Sequence, residues 1–237
     1  MSFVRRTFPV WVVGVIFLLS ICRIGLNKYR EYAWQEEMYH RGIKNKVIVI
    51  DPGHGGADPG AMVGSLKEAD INLSLARELK KELEGMGAKA VLTREEKGPL
   101  VPDKKMSYVK WMENLRRRRE FALEEKGHIL ISIHSNANNS KQASGGIVYY
   151  TQFNKNNMRL ASNIQEQLNL YWGADNNMLE KGLSVIAWDK MPSVLVETGF
   201  LTNPRDREVL SSYAGRKKLA RAIAVGIKQY CDGLPEQ

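Results

Sequence analysis

Residues 47–56 of the chain read VIVIDPGHGG. The four apolar residues at its start have the length of a buried strand, and the segment Asp51-Pro52-Gly53 ends that run with residues that break regular structure. The histidine that follows, His54, stands among glycines, which allow a loop to bend tightly and bring its backbone close to a ligand. The stretch therefore predicts a buried strand whose carboxyl end carries a polar loop.

Strand-length apolar runs alternate with helical patterns along the rest of the chain. The predicted strands after the first cover residues 89–93, 129–133, 147–151, 183–187 and 194–196. The predicted helices cover residues 70–86, with Asp70 as N-cap, 106–126, 156–171 and 214–230. Strands that alternate with helices indicate an α/β domain. We therefore expect a three-layer α/β/α fold with a mostly parallel, twisted sheet of about six strands.

The chain has 237 residues, enough for one sizeable domain with an extension. Near its start, Arg5 and Arg6 precede an uncharged apolar run that ends at Cys22. Such a run is typical of an export signal or a membrane anchor, and the absence of a small-residue cleavage motif favours an uncleaved anchor. The predicted organisation is an anchor or signal segment over residues 1–26, a stalk or linker over 27–45, and the main folded domain over 46–237.

The formal net charge of the chain is +9. A basic protein suits an anionic partner, such as a cell-wall polymer or a membrane surface. Nucleic acid is not expected, because no zinc-finger spacing and no basic–aromatic stripe accompanies the charge. The densest basic cluster, residues 116–119, is interpreted as a solvated helix face.

Three predicted strands end in side chains that could carry chemistry: His54, His134 and Glu197. The carboxyl ends of parallel strands meet at the same edge of a sheet, which is where ligands bind in such folds. Each histidine taken alone could be a structural residue. The chain has only four histidines, however, and the position of two of them at the ends of predicted strands favours a shared role. The pattern favours a metal site at this edge.

A catalytic zinc site takes three protein ligands and leaves a fourth position for water. The candidates for the third ligand are Asp58, Glu68 and Asp70, although Glu68 could instead favour the positive N-terminus of the following helix. Glu197 ends an apolar strand, where a carboxylate is costly unless it faces a polar site. It could form a salt bridge to an arginine, or it could act as general base toward a water molecule activated by the metal.

Several motifs resemble the type-3 family of zinc-dependent N-acetylmuramoyl-L-alanine amidases, in family order. They are DPGHGGADPGA at 51–61, ADINLSLA at 69–76, VLTR at 91–94, ISIHSNA at 131–137, GGIVYY at 145–150 and PSVLVETGFLTNP at 192–204. The resemblance spans residues 46 to about 231. It implies hydrolysis of the amide bond between N-acetylmuramic acid and L-alanine in peptidoglycan, with one Zn²⁺ per chain.

Carried onto this sequence, the family pattern implies that His54, Glu68 and His134 are zinc ligands and that Glu197 is the catalytic carboxylate. The substitution Glu197→Ala should then leave zinc bound and abolish turnover. The expected substrate contacts are Asn136, the backbone amides of Gly55 and Gly56, and Arg94. One departure from the family is the stretch VIAW at 185–188, which affects the expected substrate contacts and leaves the metal chemistry unchanged.

The segment between the strand at 147–151 and Pro192 has room for one helix and one short strand, which predicts an open site without a blocking helix. The short N-terminal segment without wall-binding repeats resembles the spore-cortex amidases of endospore formers. That resemblance implies a partner deacetylase, with which the amidase would give muramic δ-lactam. It also implies a location outside the cytoplasm, membrane-anchored or secreted, in the spore envelope.

Two alternative functions stay open on the sequence. The chain could be a zinc peptidase that cuts the stem peptide itself, or a cell-wall binding or regulatory module that keeps zinc for structure. Structural zinc sites are usually closed by four protein ligands. Three candidate ligands with a separate glutamate favour catalysis.

Overall fold

A computed structural model of the chain describes residues 15, 17–30, 42–98 and 107–233. Contacts divide the chain into two units, residues 1–41 and Gly42–Gln237. In the first unit residues 17–30 are helical and exposed, whereas most of the predicted anchor and stalk lies outside the described residues. Within the described ranges, no helix combines the length and the apolar character that crossing a bilayer requires.

The second unit is built on a six-stranded sheet with helices on both faces. Its strands are β1 (Val47–Pro52), β2 (Met62–Val63), β3 (Leu66–Lys67), β4 (Lys89–Leu92), β5 (Ile129–Asn136), β6 (Ile147–Tyr150), β7 (Leu179–Glu180) and β8 (Ser193–Phe200). Its helices are α1 (Glu68–Gly85), α2 (Tyr108–Glu124), α3 (Asn157–Trp172), α4 (Pro204–Ser211) and α5 (Tyr213–Asp232).

The strand order in the main sheet is β4-β1-β5-β8-β6-β7, while β2 and β3 form a separate antiparallel pair. Strands β4, β1, β5 and β8 run parallel to one another. Strand β6 runs antiparallel to β8, and β7 pairs with β6 in parallel. The mostly parallel sheet of six strands is thus confirmed.

Apolar side chains of the central strands are buried on both faces, as expected for parallel strands covered by helices. In β1, Ile48 and Ile50 belong to the larger core, which α1, α3 and α5 complete. Val49 between them points to the opposite face, where it joins a smaller cluster with Ala122 of α2. This alternation places helices on either side of the sheet and confirms the three-layer α/β/α architecture.

Two local predictions are wrong, and one short helix was not predicted at all. Residues 183–187 form turns instead of a strand, and the edge strand is β7, only two residues long. Helix α1 begins at Glu68 after the N-cap Lys67, so Asp70 lies inside its first turn and is not the cap. The short helix α4 was not anticipated, although the Asn203 side chain caps it by accepting hydrogen bonds from two of its backbone amides.

The basic cluster at residues 116–119 lies in α2, and it is not the uniformly solvated helix face that the sequence indicated. Arg118 is only 4% exposed, and it shares the inward face with Asn114 and Ala122 at four-residue intervals. Two apolar residues of the same helix are exposed, Met112 by 37% and Leu123 by 47%. The helix therefore buries polar groups near the carboxyl edge of the sheet.

Candidate active site

The three strands that position His54, His134 and Glu197 are neighbours in the sheet, and both His134 and Glu197 lie inside their strands, three residues or fewer from the carboxyl end. Strand β5 lies between β1 and β8, so His134 stands between the other two residues. His54 follows β1 in a loop, and its backbone has a φ of 63°, the left-handed region. The glycine-rich sequence around it makes such a tight turn feasible.

The side chains of His54, Glu68 and His134 converge on one point, with their ligand atoms all within 4.8 Å of one another. Glu68 Oε1 lies 3.1 Å from His54 Nε2 and 3.0 Å from His134 Nδ1. Two imidazoles and one carboxylate form a donor set that zinc accepts in catalytic sites. The three residues predicted as ligands therefore form a group that could hold a metal ion.

The surroundings of this group fix its orientation. Asp58 Oδ2 lies 2.8 Å from His54 Nδ1, which turns the opposite nitrogen of the ring toward Glu68. The other carboxylate oxygen of Glu68, Oε2, accepts a hydrogen bond from the backbone amide of Ala61 at 2.8 Å. Metal-binding histidines are commonly held in this way through their second ring nitrogen. Among the three candidates for the third ligand, Glu68 alone faces both histidines, since Asp70 pairs with Lys97.

The hydrogen bonds within the group shift the pKa values of His54 and Glu68. Burial lowers the pKa of His54, but its hydrogen bonds to Asp58 and Glu68 outweigh burial and raise that pKa to about 9. Burial raises the pKa of Glu68, but the two histidines outweigh it and hold this pKa well below the ordinary value. The carboxylate is thus ionised at neutral pH, as a metal ligand must be.

Glu197 lies beside the group without belonging to it. Its backbone is in register with His134 on the neighbouring parallel strand. Its Oε2 atom is buried and has no hydrogen-bond partner among the described residues. Burial raises the pKa of Glu197 to about 7, with the charge of Glu68 adding to the rise and His134 opposing it. A carboxyl group whose pKa is near neutral can both accept and donate a proton there.

A pocket of about 330 Å³ opens beside His54 and His134. Its other lining residues include Trp111, Asn114, Leu115, Arg118, Leu183, Val185 and Leu195. In the segment 151–192, which the structure describes throughout, α3 is the one helix, and it packs on α5 and β6. The side chains of His54 and His134 are 23% and 18% exposed, respectively. This segment therefore does not supply a helix that blocks the site.

Residues 48–229 match the protein family described as N-acetylmuramoyl-L-alanine amidase. The chain belongs to this family. This amidase is 33% identical over 223 residues to the germination-specific N-acetylmuramoyl-L-alanine amidase of Bacillus subtilis (strain 168), a match that covers 93% of the chain and 92% of the relative. It is 35% identical over 191 residues to N-acetylmuramoyl-L-alanine amidase LytC of the same strain, covering 79% of the chain and 36% of LytC.

Solved amidase structures share the fold of this amidase. The CwlD amidase from Clostridioides difficile, solved in complex with the GerS lipoprotein, superposes with a TM-score of 0.74 at 33% identity, covering 78% of the chain and 98% of that structure. The catalytic domain of CwlV from Bacillus (Paenibacillus) polymyxa var. colistinus gives a TM-score of 0.67 at 28% identity, covering 79% and 98%. The predictions of the fold and of an N-acetylmuramoyl-L-alanine amidase are confirmed.

Two buried arginines that were not predicted as positioning residues hold the His54 loop of the amidase. Arg94 donates from Nε to the Pro52 carbonyl and from Nη2 to the Gly53 carbonyl, both at 3.0 Å. Arg118 donates to the Pro52 carbonyl at 2.9 Å and to the His54 carbonyl at 2.7 Å. Each guanidinium group donates to two carbonyl groups of residues 52–54, so together they fix the path of the backbone that carries His54.

Asp51 balances the charge of Arg118. Its Oδ1 lies 2.6 Å from Arg118 Nη1, and Thr93 and Ser132 donate their hydroxyl hydrogens to the same carboxylate. Burial alone would raise the pKa of Asp51, but Arg118 and the two hydroxyl groups outweigh burial and lower it. The sequence carried one signal of this role for Arg118: its four-residue spacing from Asn114 and Ala122.

The residues expected to contact the substrate lie outside the candidate metal group. Arg94 is 5% exposed and donates to backbone carbonyls, which gives it a structural task instead of a substrate contact. The amides of Gly55 and Gly56 donate within the protein, to the carbonyls of Asp58 and Lys97, both at 2.8 Å. Asn136 accepts a hydrogen bond from the next backbone amide at the end of β5, and its substrate contact stays a prediction.

Gly53 allows His134 to occupy its position. A Cβ atom at residue 53 would lie 2.3 Å from two atoms of the His134 imidazole. We expect Gly53→Ala to displace the ring and to lower zinc affinity by roughly tenfold to a hundredfold, the size seen when support of a metal ligand is lost. Competition with a chromogenic chelator measures this affinity.

The matched control for that change is Gly85→Ala, because a Cβ atom at the end of α1 would meet nothing within 4 Å. This variant should bind zinc as the parent does. Equal affinity of Gly53→Ala and Gly85→Ala would contradict the steric argument.

Proposed function

We propose that this amidase is zinc-dependent and hydrolyses the bond between the lactyl carbonyl of N-acetylmuramic acid and the amine of L-alanine in peptidoglycan, outside the cytoplasm. The observation that carries the proposal is the position of Glu197. Its unpartnered Oε2 atom is buried next to a three-residue donor set. A separate carboxylate beside three ligands favours a catalytic site, because a structural site would use four protein ligands.

His54, Glu68 and His134 would hold the zinc ion, and Asp58 would orient the first of these ligands. When bound, zinc supplies a Lewis acid that polarises the amide carbonyl and lowers the pKa of water toward ~7. The mixed imidazole and carboxylate set suits zinc better than magnesium or calcium, which prefer oxygen ligands.

Glu197 performs the proton transfers in the proposed mechanism. Its carboxylate accepts a proton from the attacking water and then gives that proton to the nitrogen of L-alanine as the amide bond breaks. The pKa of about 7 suits both steps near neutral pH. The register of β5 and β8 keeps this carboxylate beside His134 throughout.

Digestion of purified peptidoglycan by the full chain tests the proposal. The products are analysed by mass spectrometry with zinc present, after chelation, and after zinc is restored. We expect intact stem peptides with a free L-alanine amine, lost on chelation and recovered with zinc. Removal of the ion withdraws the Lewis acid, so the residual rate should be at least a hundredfold lower.

The same experiment separates the alternatives. Fragments cut within the stem peptide would identify a zinc peptidase. Zinc-bound protein that retains peptidoglycan but releases no peptide would identify a binding or regulatory module. Either result would overturn the proposed reaction.

We propose further that the amidase acts in the spore cortex, where a deacetylase would complete muramic δ-lactam formation, and that its N-terminal segment holds it at the membrane. Support comes from the germination-specific relative, of which the match covers 92%, and from the likeness to CwlD, which was solved with a lipoprotein. The test is expression in an endospore former that lacks its own germination-specific amidase. Recovery of muramic δ-lactam in the cortex is expected, and cortex without δ-lactam would refute this role.

A further inference from the structure

Asn114 presents one oriented hydrogen-bond donor to the pocket beside the metal ligands. The side chain is only 6% exposed and lines that pocket. Its Oδ1 accepts a hydrogen bond from Arg118 Nε at 2.9 Å. Since a guanidinium group can only donate, the amide oxygen of Asn114 must face Arg118. The Nδ2 group is then left for the pocket, and the one hydrogen bond of the Asn114 side chain among the described residues is the one that its oxygen accepts.

The orientation of Asn114 is fixed by Arg118, which is itself held in place. Arg118 is held by Asp51 and by the carbonyl groups of Pro52 and His54. Asn114 therefore cannot rotate to turn its oxygen into the pocket without leaving Arg118 Nε unpaired, which is costly for a buried charged donor. The pocket thus offers an N–H donor and selects for an acceptor.

The remaining wall of the pocket is largely apolar. Leu115 and Trp111 of α2 line one part of it, and Val185 and Leu195 line another. A small neutral group with a carbonyl oxygen and an apolar end satisfies both the donor and this wall. A primary ammonium group does not, because it only donates hydrogen bonds and so offers no acceptor to Asn114 Nδ2.

We infer that this pocket binds the 2-acetamido group of the muramoyl sugar. Its carbonyl oxygen accepts a hydrogen bond from Asn114 Nδ2, and its methyl group packs on the apolar wall. The inference rests on the proposed function, because the acetamido group is on the carbon next to the one that bears the lactyl ether. Hydrolysis of the lactyl amide at His54 and His134 therefore places the acetamido group at a pocket that these histidines also line. Asn114 is a specificity-determining residue in this arrangement.

The test compares two muramoyl-peptide glycans that differ only in having an acetamido or a free amino group at carbon 2. We expect the full chain, loaded with zinc, to have a kcat/KM about tenfold to a hundredfold higher for the acetylated glycan, the range that one buried unpaired polar group produces. The variant Asn114→Asp keeps the acceptor for Arg118 but lacks the donor. For this variant, the ratio of kcat/KM on the acetylated glycan to kcat/KM on the free-amino glycan should fall to about one or below. The cause should be a lower rate on the acetylated glycan.

The control variant is Asn45→Asp, the same chemical change at an exposed residue just before β1, at the opposite edge of the sheet. It should keep the preference of the parent, and all three proteins should unfold at similar temperatures. A parent without preference, or an Asn114→Asp variant that loses rate equally on both glycans, would overturn the acetamido assignment.

A second measurement separates this inference from the proposed reaction. Binding of N-acetylmuramic acid and of muramic acid to the zinc-loaded chain is followed by NMR titration. If the parent released no peptide from either glycan, the proposed function would fail. The pocket assignment would still stand if N-acetylmuramic acid bound more tightly than muramic acid to the parent but not to Asn114→Asp, and it would fall if the two sugars bound equally to the parent.

Discussion

Replacement of Glu197 by glutamine is expected to abolish peptide release while zinc stays bound. Glutamine has nearly the shape of glutamate, but it cannot take a proton from water or return one to the leaving amine. Loss of a positioned general base costs roughly a hundredfold to ten-thousandfold in rate. Because Glu197 stands outside the donor set of His54, Glu68 and His134, the zinc affinity should be unchanged.

The measurement for Glu197→Gln combines the rate of stem-peptide release with zinc content by mass spectrometry. Glu68→Gln provides the contrast, since it replaces a ligand and should lose both zinc and activity. A Glu197→Gln protein that retains the parental rate would show that another group is the base. Loss of zinc from it would instead assign Glu197 to the ligand set. The stability of the variant should be at least parental, because an uncharged amide costs less to bury without a partner than a carboxylate does.

Substitution Arg118→Leu should lower the free energy of unfolding by about 3–5 kcal/mol, the cost of removing one partner from a buried ion pair. Asp51 would then be left buried at 1% exposure, with hydroxyl groups as its remaining donors. The carbonyl groups of Pro52 and His54 would lose a donor as well. Urea denaturation followed by tryptophan fluorescence measures the change.

The adjacent residue offers a matched control for Arg118→Leu. Arg117 makes its ion pairs with Glu120 and Glu124 at the surface of the same helix. Exposed pairs of this kind contribute about 0–1 kcal/mol, so Arg117→Leu should have a small effect. If both variants lost the same stability, residues 116–119 would be a uniformly solvated face after all, and Arg118 would have no special role.

The architecture was predictable because buried parallel strands have a strong sequence signature. Strand β1 begins with four apolar residues in a row, and in β5 only Ser132 interrupts the apolar run from Ile129 to Ile133. A strand that is covered on both faces requires such a run. The edge of the sheet was not predictable in the same way. Strand β7 has two residues and no pattern, whereas the apolar residues 183–187 contribute side chains to the core from turns.

The three residues of the candidate metal site were recognisable in the sequence for a related reason. His54 and His134 directly follow or end apolar strands, where an unpaired polar side chain is unusual, and the family motifs select Glu68 from three acidic candidates. The inward polar face of α2 could not be predicted, because asparagine and arginine are typical of the exposed face of a surface helix. Only their contacts with Asp51 and the His54 loop show that they are buried, and those contacts join residues more than sixty positions apart.

His134 and Glu197 are paired across β5 and β8, so their spacing depends on the sheet. The shape of the neighbouring pocket depends on other parts of the chain, and engineering could therefore change the pocket alone. The spacing between the proposed ligand and the proposed base is set by main-chain hydrogen bonds, and a slip of one residue would turn either side chain to the other face of the sheet. The walls of the neighbouring pocket come largely from α2 and from residues 182–185. Redesign of those walls could redirect the enzyme toward other amide substrates, while the hydrolytic centre stays on an unaltered sheet.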